Sequence, residues 1–76
     1  MEEARPFDTL SGLTGKIIIV TLKNGSAYKG CLKAFDIHIN IVLENCEYIN
    51  QGGKRKLNMV FIPGHWVEQC SPVEDS

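Results

Sequence analysis

The segments Ile17–Leu22 (IIIVTL) and Lys23–Ser26 (KNGS) decide the fold class of this chain. The β-branched side chains of the first segment favour an extended, pleated backbone over a helix. In the second segment, Asn24-Gly25 stands between two strand-like runs, which is the strongest short-range signal for a β-hairpin. The sequence therefore predicts two antiparallel strands joined at this turn.

The strand after the turn indicates a strongly bent sheet. Ser26–Phe35 alternates along its length, and we expect one face to hold Tyr28, Gly30, Leu32 and Ala34. A glycine inside a strand often marks a bulge or a sharp bend, as small barrels need at their corners. The bend is therefore predicted at Gly30.

A short helix and three further strands complete the predicted fold. Apolar residues at every third position of 6–13, directly after a proline start, predict the helix. The remaining strands are expected at Ile39–Leu43 (Ile39, Ile41 and Leu43 sharing a face, with an extended continuation to 49), Lys56–Ile62 and Trp66–Cys70, separated by turns at 50–54 and 63–64. This order predicts an all-β chain with a short N-terminal helix, built as a five-stranded, strongly bent SH3-like or OB-like barrel.

Charge and length set the domain organisation. We expect a flexible tail at 1–5, one barrel domain at 6–72 and an acidic tail at 73–76. The net charge is −1, but Glu2, Glu3, Glu74 and Asp75 lie near the ends, and without them eight basic side chains stand against five acidic ones, a net charge of +3. That excess suits a few phosphate contacts and is too weak for strong duplex binding. A solvated strand face explains the same lysines.

Several classes of function find no support in the residues. No apolar run approaches the roughly 20 residues of a membrane span, and the acidic start Met1–Glu3 is unlike a secretory signal, so we expect no membrane contact and a cytoplasmic location. Cys31, Cys46 and Cys70 lack metal-ligand spacing and are interpreted as small buried hydrophobes. Without a nucleophile elbow, phosphate loop or paired carboxylates, we expect neither an enzyme nor a cofactor.

The last two strands predict self-association. Val60–Ile62 and Trp66-Val67 are too apolar for edge strands that face water. Pairing between the edges of neighbouring copies would satisfy both the backbone and these side chains. Because such a contact is head-to-tail, it closes into a ring if the rotation between copies permits.

A polar cluster lies in Phe35–Asn40 (FDIHIN), between two strand-like runs. Alternate positions in an extended backbone would point Asp36, His38 and Asn40 the same way. A flat ring beside an amide and a carboxylate can hold an unpaired nucleobase: the ring stacks, the amide bonds the base edge, and the carboxylate orients the amide. The alternative is a polar loop whose side chains cap their own backbone. The residues alone leave both open.

From about Pro6 to Pro72, these segments together resemble the Sm/Sm-like (LSm) family, most closely its archaeal members. The first family motif is an apolar alternation, a glycine turn, a second glycine and Phe-Asp-x-His-Met-Asn. It is matched by Ile18, Val20, Leu22, Gly25, Gly30, Leu32, Phe35, Asp36, His38, Ile39, Asn40 and Leu43. The second motif, Ile-Arg-Gly before an apolar strand, is matched in part by Ile62, Pro63, Gly64 and Val67.

The resemblance implies a homo-oligomeric ring, commonly a hexamer or heptamer, joined through strands four and five. It also implies non-catalytic binding of single-stranded U-rich RNA at the central pore, in RNA processing or ribonucleoprotein assembly, with ribonucleoprotein components as further partners. In family terms His38 stacks on the base, Asn40 bonds its edge and Asp36 orients Asn40. The motif positions Pro63 and Gly64, with the adjacent His65, complete the implied RNA-binding set.

Pro63 stands where the family has an arginine that covers the other face of the base. Proline has no charge, donor or planar cation, so we expect uridine binding weaker by an order of magnitude or more per site. His65 and Trp66 are candidate substitutes, although an exposed loop residue and core or subunit packing are the simpler interpretations. Two functions therefore stay open: an RNA-binding ring, and a structural protein-assembly ring with weak or lost RNA affinity.

Overall fold

A single antiparallel sheet organises residues 10–73, the part of the chain that the computed structural model describes. Its strands are β1 Ile17–Leu22, β2 Ala27–Phe35, β3 Ile41–Asn50, β4 Gly53–Ile62 and β5 Val67–Pro72, with a 3-10 turn at Gly64–Trp66. The strands follow the order β4-β3-β2-β1-β5. The predicted all-β class with five strands is confirmed. Residues 6–9 of the predicted helix at 6–13, and the tails at 1–5 and 74–76, lie outside the described residues.

The hairpin between β1 and β2 forms as its sequence predicts. Gly25 has a φ of 92°, a value that side-chain-bearing residues rarely adopt. The Asn24 side-chain oxygen accepts a hydrogen bond from the Ser26 N–H at 2.9 Å. The Leu22 N–H donates to the Ser26 carbonyl at 2.8 Å and closes the turn. Local turn chemistry therefore fixes the turn that joins these strands.

The core depends on a close approach of two strands at Gly30. A Cβ placed at Gly30 would overlap the Cβ of Cys46 and lie 2.8 Å from its Cα. Only glycine allows β2 and β3 to come this close, as expected for the predicted bend. The buried residues of the core are Leu10, Ile18, Val20, Leu22, Leu32, Ile41, Leu43, Cys46 and Ile62.

The predicted face of β2 is wrong at its C-terminal end. Ala34 is exposed, whereas Phe35 packs against the core. The pairing register with β3 shifts between Leu32 and Ala34, and the extra residue of such a bulge reverses the alternation of side chains. Ile39, predicted to begin the third strand, lies before β3 with a φ of 62° and still packs partly against the core.

The outer strands of the sheet are β4 and β5, so each has one edge without a partner strand within residues 10–73. Strand β4 begins three residues earlier than predicted, because a tight turn at 51–52 replaces the expected loop. There the Asn50 side-chain oxygen accepts a hydrogen bond from the Gly52 N–H at 2.8 Å. Met59 and Phe61 on β4 are 56% and 60% exposed. Exposed apolar side chains on an unpaired outer strand favour a contact with another chain that removes them from water.

Candidate nucleic-acid interface

The loop between β2 and β3 is closed around the carboxylate of Asp36. Its Oδ1 accepts hydrogen bonds from the backbone N–H of His38 at 2.9 Å and of Asn40 at 3.1 Å. Its Oδ2 accepts one from the side-chain amide of Asn40 at 3.1 Å. The Ile39 N–H also donates to the Asp36 carbonyl, at 3.0 Å. One carboxylate therefore fixes the backbone of the loop and the Asn40 side chain together.

The geometry corrects the premise of an extended backbone in this segment. Ile39 has a φ of 62°, so the chain turns between His38 and Asn40 instead of alternating. The polar side chains gather because the loop folds around Asp36. The alternative of a polar loop that caps its own backbone is accurate for Asp36. The same bonds still orient the Asn40 amide, so the two interpretations are compatible.

A second segment, between β4 and β5, is held against this loop. The Gly64 N–H donates a hydrogen bond to Oδ1 of Asn40 at 2.8 Å. A Cβ at Gly64 would collide with the carbonyl oxygen of His38, so only glycine allows the approach. Pro63 precedes Gly64 and accepts a hydrogen bond from the Trp66 N–H at 3.0 Å. These contacts bring Asp36, His38, Asn40 and Gly64 into one cluster.

The donors around Asp36 stabilise the charged form of its carboxylate. The pKa of Asp36 is lowered, chiefly by the hydrogen bond from the Asn40 side chain, then by the backbone N–H groups of Asn40 and His38 and the nearby His38 ring. A carboxylate that accepts several N–H donors is stabilised in its charged form. The cluster therefore offers a fixed acceptor that holds the Asn40 amide at neutral pH.

The low pKa of Asp36 gives a pH prediction. A carboxyl whose pKa is lower in the folded chain contributes stability above its unfolded pKa, and that contribution is lost as the pH falls through the folded value. We expect the loop hydrogen bonds to survive the pH range in which ordinary aspartates titrate and to break only below it. The backbone amide NMR shifts of His38 and Asn40 report this directly.

Asp36→Asn serves as the control for this titration, because its side-chain oxygen can still accept hydrogen bonds and the amide has no proton to gain in that range. The transition of the two amides should be absent from this variant. A shared midpoint at or above the ordinary aspartate pKa in the unsubstituted protein would contradict the role given to Asp36.

The remaining predicted positions border this cluster. Pro63 begins the 3-10 turn with a φ of −62° and brings no charged group. His65 is exposed, and its ring centroid lies 5.4 Å from that of Trp66, with the planes tilted by 37°. Trp66 is 47% exposed, so its interpretation as a core residue is wrong for this chain taken alone. Packing against another subunit stays a prediction.

The structure adds a groove that the sequence did not indicate as a unit. Beside the cluster, Leu22, Asn24, Tyr28, Tyr48, Phe61, Ile62, Pro63 and Trp66 line a cavity of about 240 Å³. The rings of Tyr28 and Tyr48 lie 4.9 Å apart at its base. In the sequence this groove is indicated only by aromatic residues on separate strands. The order of the strands in the sheet is needed to show that these residues lie side by side.

Neither the cysteines nor a metal-binding group adds a reactive or ligand-binding site within residues 10–73. Cys46 belongs to the buried core, as predicted, whereas Cys31 and Cys70 are only half-buried and Cys70 packs against the core. Burial raises the pKa of the Cys70 thiol to about 11, which keeps it protonated and unreactive at neutral pH. Within residues 10–73 no group of three or more His, Cys, Asp or Glu side chains could hold a metal ion. The same span contains no helix long and apolar enough to cross a membrane.

Comparison with known proteins decides the family. The family model of the LSM domain matches residues 8–72 of the chain. This chain belongs to the LSM, or Sm-like, family. An Sm-like protein of Archaeoglobus fulgidus is 41% identical over 69 residues, which cover 90% of each chain. A relative from Thermococcus sibiricus is 38% identical over 71 residues, covering 92% of this chain and 93% of its own.

Solved structures agree with this assignment. The Sm protein of Pyrococcus abyssii in complex with a uridine heptamer is 34% identical, with a TM-score of 0.84 over 92% of this chain and 100% of that one. A heptameric archaeal Sm protein is 35% identical, with a TM-score of 0.81 over 87% of this chain and 97% of its own. The Sm-like chain therefore has the five-stranded Sm fold that its motifs implied.

Proposed function

We propose that this Sm-like chain assembles into a closed ring and binds single-stranded, U-rich RNA at the central opening, without catalysing a reaction. Family membership supports the ring, since relatives of this fold are described as heptamers. The open edges of β4 and β5 are the surfaces through which copies would join. RNA processing or ribonucleoprotein assembly is the kind of process such a ring would serve.

The orientation of the Asn40 amide is the observation that carries the RNA proposal. The Gly64 N–H is a donor and must face the amide oxygen Oδ1, whereas the Asp36 carboxylate is an acceptor and must face the amide nitrogen Nδ2. These two neighbours therefore fix which end of the Asn40 amide is oxygen and which is nitrogen. These two bonds use one amide hydrogen and one lone pair. A second hydrogen and a second lone pair of the amide remain for a ligand that carries an acceptor next to a donor.

Uracil presents this complementary pattern. Its O4 accepts a hydrogen bond and its neighbouring N3–H donates one, so the Asn40 amide can bond both atoms. Cytosine presents the reverse order, and matching it in the same base orientation would require the amide to flip. Because a flip would break the bonds to both Asp36 and Gly64, the site should favour uracil over cytosine. Guanine has the same donor and acceptor order, so the size of the pocket must discriminate against it.

Stacking and charge add to this recognition. His38 is exposed beside the amide, and an exposed ring can lie on the face of a base. The relative that binds a uridine heptamer has the same fold and covers most of this chain, which supports a uridine site in the same place. The net charge of +3 away from the chain ends supports contact with a few phosphates.

Alanine substitution tests the proposed function. His38→Ala and Asn40→Ala should each lower the affinity for a uridine oligomer by about tenfold or more at low salt, because stacking contributes about 1–3 kcal/mol per base and a bidentate contact to a base edge contributes about as much. Fluorescence anisotropy measures the affinity, with a cytidine oligomer as the comparison ligand. Asn58→Ala, an exposed asparagine on β4, is the matched control and should bind as the unsubstituted protein does.

Pro63 favours a second candidate function, a ring that assembles proteins and binds RNA weakly. The motif arginine is absent here, and with it one face of the base sandwich. Under this alternative the purified protein would show the absorbance ratio of pure protein and no anisotropy change with the uridine oligomer. RNA binding that appears only after Pro63→Arg would favour the alternative, whereas binding by the unsubstituted chain would favour the RNA-binding ring.

A further inference from the structure

Two neighbouring aromatic rings follow the position where the family arginine is missing. His65 is exposed, and Trp66 is 47% exposed although it is the largest apolar side chain of the chain. Their ring centroids lie 5.4 Å apart with a tilt of 37°, within the range of a favourable aromatic contact. Together they form an exposed aromatic surface, which we call the His65–Trp66 pair.

The backbone around this pair is fixed on both sides. The Gly64 N–H is bonded to Asn40 at 2.8 Å, so His65 is the next residue along the chain from a contact with the base-reading amide. On the other side, the Trp66 N–H donates to the Pro63 carbonyl at 3.0 Å and the Trp66 carbonyl accepts from the Lys23 N–H at 2.9 Å. Binding at this pair would therefore cost little ordering of the backbone.

We propose that the His65–Trp66 pair provides the second stacking surface of the base site, in place of the arginine that Pro63 replaces. His65 covers the face of the base opposite His38, and Trp66 holds the His65 ring from behind. The inference rests on the proposed function and identifies a specificity-determining surface within it. An arginine supplies a cation as well as a plane, whereas this pair supplies aromatic planes next to the locked amide.

Trp66 makes the proposal directly measurable, because it is the only tryptophan in the chain. Its fluorescence should change on titration with a uridine oligomer, with the same midpoint as the anisotropy of a labelled oligomer. A cytidine oligomer at the same concentration should leave the emission nearly unchanged. In the Asn40→Ala variant, the emission change should shift to higher RNA concentration together with the anisotropy.

Variants at position 65 separate stacking from other roles. His65→Ala should weaken uridine-oligomer binding by at least about fivefold, as expected when a stacked ring is removed. His65→Phe keeps a flat ring and should remain within about twofold of the unsubstituted protein, on the same stacking argument. Adding Pro63→Arg to His65→Ala should restore affinity. Gln51→Ala, at the exposed turn between β3 and β4, is the control, and native mass spectrometry verifies that each variant keeps the ring.

The outcomes distinguish this inference from the proposed function. If the oligomer binds in a manner that depends on His38 and Asn40, while Trp66 emission stays constant and His65→Ala binds normally, the second stacking surface is wrong and the RNA-binding ring stands. A Trp66 residue buried between subunits would give this result. If no uridine oligomer binds at all, the proposed function fails and the inference fails with it.

Discussion

Gly64→Ala is expected to lower the affinity for a uridine oligomer by about 100-fold, more than the loss of a single stacking contact. The reason is geometric. The added Cβ would collide with the His38 carbonyl oxygen, so the segment after β4 must move away from the loop after β2. That movement breaks the bond between the Gly64 N–H and Asn40 and frees the amide to flip. Stacking, edge recognition and uracil preference are then lost together.

The same substitution should also cost stability, by about 1–3 kcal/mol for the lost hydrogen bond and the strain of the contact. Urea denaturation measures this cost, and anisotropy measures the affinity. Gly12→Ala is the matched control, because a Cβ at Gly12 meets no atom within 4 Å and its φ is not in the positive range. It should be neutral or slightly stabilising. Unchanged uridine affinity in Gly64→Ala would show that the Asn40–Gly64 contact is not needed for binding.

Phe61→Lys is expected to abolish the ring and leave particles of 8.5 kDa. Phe61 is 60% exposed on the outer strand β4, so the substitution should cost the isolated subunit little. At a contact between copies the same change replaces a buried aromatic side chain by a charge that would have to be desolvated. We expect it to weaken the binding free energy of each contact by about 2 kcal/mol or more. The contact is repeated around the ring, so closure fails. RNA affinity should fall as well, because the gain from several linked sites disappears.

Sedimentation velocity at micromolar concentration measures this effect, and the urea midpoint of the variant tests whether the subunit still folds. The control is Gln51→Lys, which adds the same charge at the exposed turn before β4. It should keep the ring. A complete ring in Phe61→Lys would show that the exposed edge of β4 is not the surface through which copies join.

Local signals were sufficient to predict most of the sheet. The β-branched run of β1 and the Asn24-Gly25 turn specify their hairpin through neighbouring residues alone, and both are confirmed. The face of Ala34 was predicted wrongly because a bulge depends on how β2 pairs with β3, and alanine fits either face of a strand. The beginning of β4 was missed for a similar reason, since the turn before it uses the side chain of Asn50.

The sequence predicted which residues form the candidate site but did not predict how the backbone brings them together. Asp36, His38 and Asn40 were selected for their chemistry, but the turn at Ile39 and not an extended backbone brings them together. The contact between Asn40 and Gly64 spans 24 residues of chain and could not be read from spacing. The family motif includes Gly64 but does not say why a glycine is required there. Only the structure shows that a Cβ at position 64 would collide with the carbonyl oxygen of His38.

The polar loop would combine two roles under the proposed function. The bonds that close the loop on Asp36 also fix the polarity of the Asn40 amide, so the stability of the loop and the proposed recognition of the base depend on the same atoms. A preorganised amide costs little conformational entropy when it binds. If the proposed function holds, this arrangement lets a short, exposed loop carry a specific site on a chain with so small a core.

Native mass spectrometry of the purified protein, with and without a uridine oligomer, tests the central claim most directly. We expect one closed assembly whose mass is a whole multiple of the 8.5 kDa subunit, and a second species heavier by one bound oligomer. A protein that stays at the mass of one subunit in both samples would contradict the ring and, with it, the shared RNA site.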